Sequence, residues 1–402
     1  MREMFTARRR IAAAIAAAAA AAVIGCGTAL PAEAAPAAGE VLHEDSANAI
    51  AESYIVTLKE SAGFRADSEE GNQLATKYGA TVETAYNSVL NGYAVRVGAS
   101  GARSFASDPA VASVEQNQKV HYDGTQYYPP WGLDRIDQAR LPLSRTYTYP
   151  NTAGNAATVY VLDTGVRITH QQIAGRASYG YDAIDGDTIA SDGNGHGTHV
   201  ATIVAGRTYG VAKLARIVAV RVLDNDGYGS VAGVIAGVDW VTSHRNRPAV
   251  ANMSLGGSAS TALDTAVRNS IASGITYAVA AGNANADAAN FSPARVSSAL
   301  TVGASTITDY RADFSNYGSA LDMFAPGVSI PGGWHTSDTA RATLSGTSMA
   351  TPHVAGAAAV YLTSRPTASP ATVHSALVSG ATTGVLRNIG PGSPNRLLRL
   401  VP

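Results

Sequence analysis

LSGTSMATPHVAG, residues 344–356, sets Ser348 among small residues, four positions ahead of Pro352, with an Ala- and Gly-rich apolar run behind. The pattern predicts the start of a buried helix. Proline is tolerated in a first turn, where its missing N–H would have had no acceptor, and Ser348 or Thr351 could cap the orphan amides. Capping alone would account for the stretch. A helix start also presents a backbone N–H and the positive end of the helix dipole, so a hydroxyl there is well placed for a nucleophile whose product is an oxyanion.

Upstream, apolar runs 158–165 (TVYVLDTG), 215–223 (ARIVAVRVL), 249–255 (AVANMSL) and 274–283 (GITYAVAAGN) alternate with helical patterns. Val231, Val234, Ile235, Val238 and Val241 recur at three- and four-residue intervals, as do Leu263, Val267 and Ile271. Continuous apolar strands separated by amphipathic helices predict an α/β fold, a mainly parallel sheet covered by helices on both faces. Before it, residues 53–60, 91–97 and 111–120 read as strands, with helices over 66–78 and near 102–110, a small α+β unit. Such a unit buries too little surface to be robust alone. Residues 35–53 read as a linker, and HYDGTQYYPPWG (121–132) marks the boundary between the two units.

The chain has 402 residues, 46% of them apolar, and a formal net charge of −1. That balance carries no footprint of a nucleic-acid or membrane-surface binder. Residues 1–10 are basic and 11–25 almost wholly alanine and isoleucine, the form of a secretion signal. AEA (32–34) offers cleavage after Ala34, which ends a signal segment 1–34. The competing site is VIGC (23–26), where Cys26, the one cysteine in the chain, would carry a lipid. Arg8 and Arg9 are a weak cue for a folded-export route. The mature chain then has no internal disulfide and is expected outside the cell.

In open parallel sheets, ligands gather at the carboxyl ends of the strands. Asp163 ends one apolar run, His196 stands in the glycine-opened GNGHGTHVATIVAG (193–206), and Asn283 ends another run. Taken singly, each reads as a turn or cap residue. Together with Ser348 they place on one rim the four side chains that acyl transfer needs. The order Asp, His, Ser differs from the Ser, Asp, His order of the α/β-hydrolases, and Gly346–Ala350 lacks the final glycine of their nucleophile elbow. His196 and His199 could suggest zinc, but the acid of the helical zinc motif is missing. GNGHG has the wrong glycine spacing for a dinucleotide site.

These motifs, with WGLDRIDQ (131–138), FSNYG (314–318) and GSPNRLL (392–398), resemble the subtilisin-like serine proteases of the proteinase K branch. The similarity runs from about Trp131 to Leu397, and residues 53–122 resemble that family's inhibitory, fold-assisting propeptide. The resemblance implies a subtilisin-like three-layer fold and a monomeric serine endopeptidase made as a self-processing zymogen, with protein and peptide substrates and its own propeptide as partners. Ser348 would be the nucleophile, His196 the general base and Asp163 its orienting acid, with Ser348 N–H and the Asn283 amide as oxyanion donors. Gly227, Tyr228 and Gly229 would pair with an extended substrate. Ser254, Leu255, Gly256, Ala280, Ala281 and Gly282 would flank a first specificity pocket without an acid, favouring apolar or aromatic residues. A catalytically silent, peptide-binding relative is the competing reading.

Structural Ca²⁺ is implied at Asp322 with the carbonyls of Ser297 and Ala299. A second site would use Asp134, Asp137, Gln138, Ser144 and Thr146, an oxygen-rich set that suits the ion, although salt-bridged or capping aspartates would look the same. DNDG (224–227) lacks the features of a helix-loop-helix calcium loop. Val200 stands where some relatives carry cysteine, and Thr202 and Ile203 replace a common Gly-Thr pair. Self-cleavage is expected between residues 120 and 126, with Tyr122 suited to the pocket, while the resemblance to relatives would start the mature chain at Gly124, giving domains 1–34, 35–123 and 124–402.

Overall fold

The computed structural model describes residues 39–44, 46, 49–118 and 123–400. The signal segment, Cys26 and Tyr122 lie outside them. The chain divides into two compact units, residues 1–118 and 119–402.

The first unit is a five-stranded sheet in the order Val41–Leu42, Val111–Gln118, Ala49–Leu58, Gly92–Arg96, Thr81–Tyr86, with helices Glu69–Lys77 and Ala99–Ala106. Tyr54, Val56, Tyr93, Val95, Phe105 and Val114 form its core. Helix Glu69–Lys77 starts where Ser68 accepts from Gly71 N, and Asp108 ties its far end through Lys77 and the Tyr78 hydroxyl. Two strands go beyond the expected three. Thr81–Tyr86 is an edge strand with largely exposed side chains, so it has little apolar alternation to betray it. The supposed linker in turn contributes Val41–Leu42 and the outer end of Ala49–Leu58.

The second unit is built on a nine-stranded sheet. Its order is Thr382–Thr383, Arg396–Leu397, Met323–Pro326, Leu300–Ser305, Thr276–Ala280, Ala249–Met253, Thr158–Asp163, Arg216–Arg221, Ala177–Asp182. All pairings are parallel except that of the Thr382–Thr383 edge. Alternation along one strand separates two cores, as a sheet buried on both faces requires. Val159 and Val161 pack with helices His196–Ala205, Thr347–Ser364 and Pro370–Gly380, whereas Tyr160 and Leu162 pack with Val231–His244 and Thr261–Ala272. Thr202 has a task of its own: its hydroxyl donates to the His199 carbonyl and accepts from Gly333 N, tying helix His196–Ala205 to the strand Ile330–Gly333. No helix among the described residues is long and apolar enough to cross a membrane.

Candidate active site

Asp163 is the last residue of strand Thr158–Asp163 and is wholly buried. His196 opens its helix behind Gly195, whose φ of 115° is open to glycine and hostile to side chains. The turn brings His196 Nδ1 within 2.7 Å of Asp163 Oδ1, which also accepts from Thr164 N. Burial opposes a charge on the imidazole. The Asp163 carboxylate, through its charge and hydrogen bond, and the charge of Asp192 outweigh it and lift the His196 pKa above its ordinary 6.5.

Helix Thr347–Ser364 has Gly346 as its N-cap residue and no side-chain cap, so neither Ser348 nor Thr351 caps it. The Thr347 amide and hydroxyl both donate to Asn283 Oδ1 at 2.9 Å, and the Met349 amide donates to Gly346 O. Asn283 therefore turns its NH₂ the other way. A Cβ built on Gly346 would lie 3.5 Å from Asn283 Nδ2 and 3.6 Å from Ser348 N, so both donors border one small space that the glycine leaves open. Ser348 Oγ donates to the Ser254 carbonyl at 3.0 Å rather than to His196, and Ser254 Oγ donates back to Ser348 O.

Two concavities meet at this rim. One, of about 240 Å³, is lined by Leu255, Gly256, Ala280, Ala281, Gly282, Asn283, Phe291, Ala294, Thr347 and Ser348 among others, and no charged side chain among the described residues lines it. The other, of about 630 Å³, includes His196, Asp226, Gly227, Tyr228, Gly229, Ser254 and Leu255. Every substrate-contacting residue expected from the sequence thus lines one or both.

Residues 154–396 match the Subtilase family of S8 peptidases, and residues 53–123 match the peptidase inhibitor I9 family. The chain is 56% identical over 320 residues to an extracellular serine proteinase of Thermus sp. (strain Rt41A), covering 80% of this chain and 78% of that one. It is 46% identical to the alkaline serine exoprotease A of Vibrio alginolyticus, over 87% of this chain and 67% of the other. A crystal structure of a cold-adapted subtilisin-like serine proteinase superposes with a TM-score of 0.67 at 51% identity, covering 68% of this chain and 99% of that one.

The chain belongs to the subtilase family. It is a serine protease with a subtilisin-like fold, preceded by an I9 domain.

In this subtilase, Asp192 escapes a sequence reading. Its buried carboxylate accepts from Thr164 Oγ1, Asn194 N and Gly195 N on one oxygen and from the Thr198 amide and hydroxyl on the other. Thr164 Oγ1 in turn accepts from Gly197 N, so Asp192 braces the end of the Asp163 strand against the start of the His196 helix. His199, three residues after His196, is buried and pushed down to about 4 by that burial, with Nε2 on the Ala342 carbonyl. It packs as a neutral residue and forms no pair with His196. Phe291 and Ala294 line the smaller concavity unforeseen, delivered by the ribbon in which Gly257–Ser258 pairs with Phe291–Ser292.

Asp134, Gln138, Ser144 and Thr146 form one cluster: Asp134 accepts from Ser144 N and Oγ and from Arg145 N, Gln138 Oε1 accepts from Ser144 N, and the Ser144 and Thr146 hydroxyls lie 2.8 Å apart. Asp137 Oδ2 accepts from Thr148 N, while its Oδ1 is buried with no hydrogen-bond partner. Burial, aided by the Asp134 charge, pushes Asp137 up to about 6. Asp137 Oδ1 is an open oxygen of the kind a hard cation takes, but among the described residues no group of three or more carboxylate, histidine or cysteine side chains gathers around it. Both oxygens of Asp322 are occupied in the same way as those of Asp134, here by Thr301 N and His374 Nε2.

Proposed function

We propose that this chain is a secreted serine endopeptidase that matures by cutting itself and then hydrolyses peptide bonds with broad specificity. The observation that carries the reading is the pair of buried Asp163 and half-buried His196 at 2.7 Å, on the same rim as a helix-start serine and an asparagine amide turned toward it. Ser348 Oγ attacks the scissile carbonyl, and His196 takes its proton and returns it to the leaving amine. Asp163 holds the tautomer and the imidazolium. Ser348 N–H and Asn283 Nδ2 hold the oxyanion.

The uncharged lining of the smaller concavity supports apolar or aromatic residues before the cut, because nothing in it would neutralise a cation. Self-cleavage falls within residues 120–126. Strand Asp123–Tyr127 pairs with Thr146–Pro150 in the second unit, so a cut that preserves it comes before Asp123. The mature enzyme acts as a monomer outside the cell, in keeping with the word "extracellular" in the name of its Thermus relative. Calcium bound by Asp134, Asp137, Gln138, Ser144 and Thr146 would supply folding energy without entering the chemistry. At Asp322, with the Ser297 and Ala299 carbonyls, an ion would have to displace His374.

A cleavage profile of the purified mature enzyme on a peptide library tests the specificity. Phe, Tyr, Leu and Ala should dominate the position before the cut, and a profile dominated there by Arg or Lys contradicts the pocket assignment.

A further inference from the structure

The loop from Val222 to Ser230 owes its shape to Asp224. Asp224 Oδ1 accepts from Asp226 N and Tyr228 N at 2.9 Å each, its own amide donates to Tyr228 O at 2.7 Å, and Gly227 turns the tip with a φ of 83°. The Asp226 carboxylate takes no part in this. It has no hydrogen bond or ion pair among the described residues, yet it lines the larger concavity beside Asn194, His196 and Leu223. Among the described residues that line the concavity it is the one acidic side chain, and no lysine or arginine lines it. Next to it Tyr228 is 75% exposed, a large ring at the lip.

Asn194 fixes where Asp226 stands. Its Nδ2 donates to the Asn225 carbonyl at 2.8 Å and its Oδ1 accepts from His196 N at 3.1 Å, so the Asp226 loop is fastened to the start of the His196 helix. Side chains of an extended substrate alternate in direction. When one enters the pocket of Ala280–Gly282, the residue before it points the other way, toward the His196 and Asn194 wall.

We propose that Asp226, with Tyr228 beside it, selects a cationic side chain at the second residue before the cut. The inference rests on the peptidase reading and adds a preference to it. A lysine or arginine there lays its methylenes along Leu223 and brings its charged head to the carboxylate, with the Tyr228 ring as a second, cation–π partner. The chain from residue 124 onward carries 19 Lys and Arg against 16 Asp and Glu, so no general negative field would produce the same preference.

The test uses the enzyme matured from the full chain and two chromogenic peptides, Ala-Ala-Lys-Phe and Ala-Ala-norleucine-Phe anilides, which differ only in the charge. At low salt the lysine peptide should be cut with a kcat/KM about fivefold higher, the upper range for an exposed ion pair, and the advantage should shrink in 1 M salt. Asp226→Asn should abolish the ratio, and Asp226→Lys should reverse it and favour glutamate over glutamine. A ratio within twofold of unity in the wild-type enzyme overturns the proposal, as does a fivefold ratio that survives Asp226→Asn or a preference that appears only when lysine is moved two residues further upstream. Cleavage of the norleucine peptide establishes the peptidase reading separately. Failure to cut either peptide contradicts both.

Discussion

Replacing Asp192 by asparagine should loosen the joint between the Asp163 strand and the His196 helix. The three donors on one carboxylate oxygen, from Thr164, Asn194 and Gly195, can still be met by the amide oxygen. The new NH₂ then faces the Thr198 amide and hydroxyl, which previously donated to the other oxygen. The hydroxyl can turn and accept, whereas the amide cannot. One charge-assisted hydrogen bond is lost and one buried donor left facing another, a cost of about 3 kcal/mol. For a unit of this size that corresponds to a melting temperature lower by roughly 5 °C. Scanning calorimetry on the matured enzyme, blocked with a sulfonyl fluoride to stop self-digestion, reads the shift. Activity carries a second signature. Asp192 helps to raise the His196 pKa, and kcat/KM falls as His196 becomes protonated, so the acid limb should move to lower pH in Asp192→Asn. Unchanged melting together with an unmoved acid limb would refute the bracing role.

Asn283→Ala should lower kcat by about a hundred- to a thousandfold with KM little changed, a magnitude taken over from a subtilisin rather than worked from these distances; a loss seen in KM alone would count against an oxyanion donor. Chelation should lower the melting temperature, because an ion held only by the folded state at a hundredfold its Kd stabilises it by about 2.7 kcal/mol. Asp137→Asn should remove much of that effect, and an equal response to chelator in the variant would exclude this loop as the site. Burial, reinforced by Arg176, depresses Lys213 to about 7, below the 10.5 of an unfolded lysine. Between pH 7 and 10.5 the unfolded chain binds the extra proton, so this residue makes stability rise across that window, by less than burial alone would give because its Nζ donates to the Arg207 and Gly210 carbonyls and lies over the Tyr147 and Tyr149 rings. Lys213→Met should flatten the rise, as measured by urea unfolding of the blocked enzyme at pH 7 and 9.5.

Much of the rim was legible because Asp163 and Asn283 close apolar runs while His196 and Ser348 open small-residue helices. Asp163, Asn283 and Ser348 stand where a continuous strand or a small-residue helix gives way to polar chain, and a parallel sheet brings such ends together. Helices Val231–His244 and Thr261–Ala272 declared themselves by their spacing. Asp192 did not, since an aspartate among glycines reads as a turn residue until its five donors are seen to come from three segments. Phe291 and Ala294 reach the pocket through a two-residue pairing too short to leave a pattern. The hydrogen bond from His374 to Asp322 spans fifty-two positions, and nothing local in either segment announces it.

The most direct test of the account is the fate of the Ser348→Ala precursor. Produced in a host without other proteases and followed by intact mass, the wild-type chain should lose its I9 domain by a cut between residues 120 and 126, and a sulfonyl fluoride should then label it at Ser348. The Ser348→Ala chain should keep its I9 domain joined to the second unit and take up no label, because removing this nucleophile costs roughly a million-fold in a subtilisin. Clean maturation of the purified Ser348→Ala precursor would contradict both the nucleophile and the self-processing that depends on it.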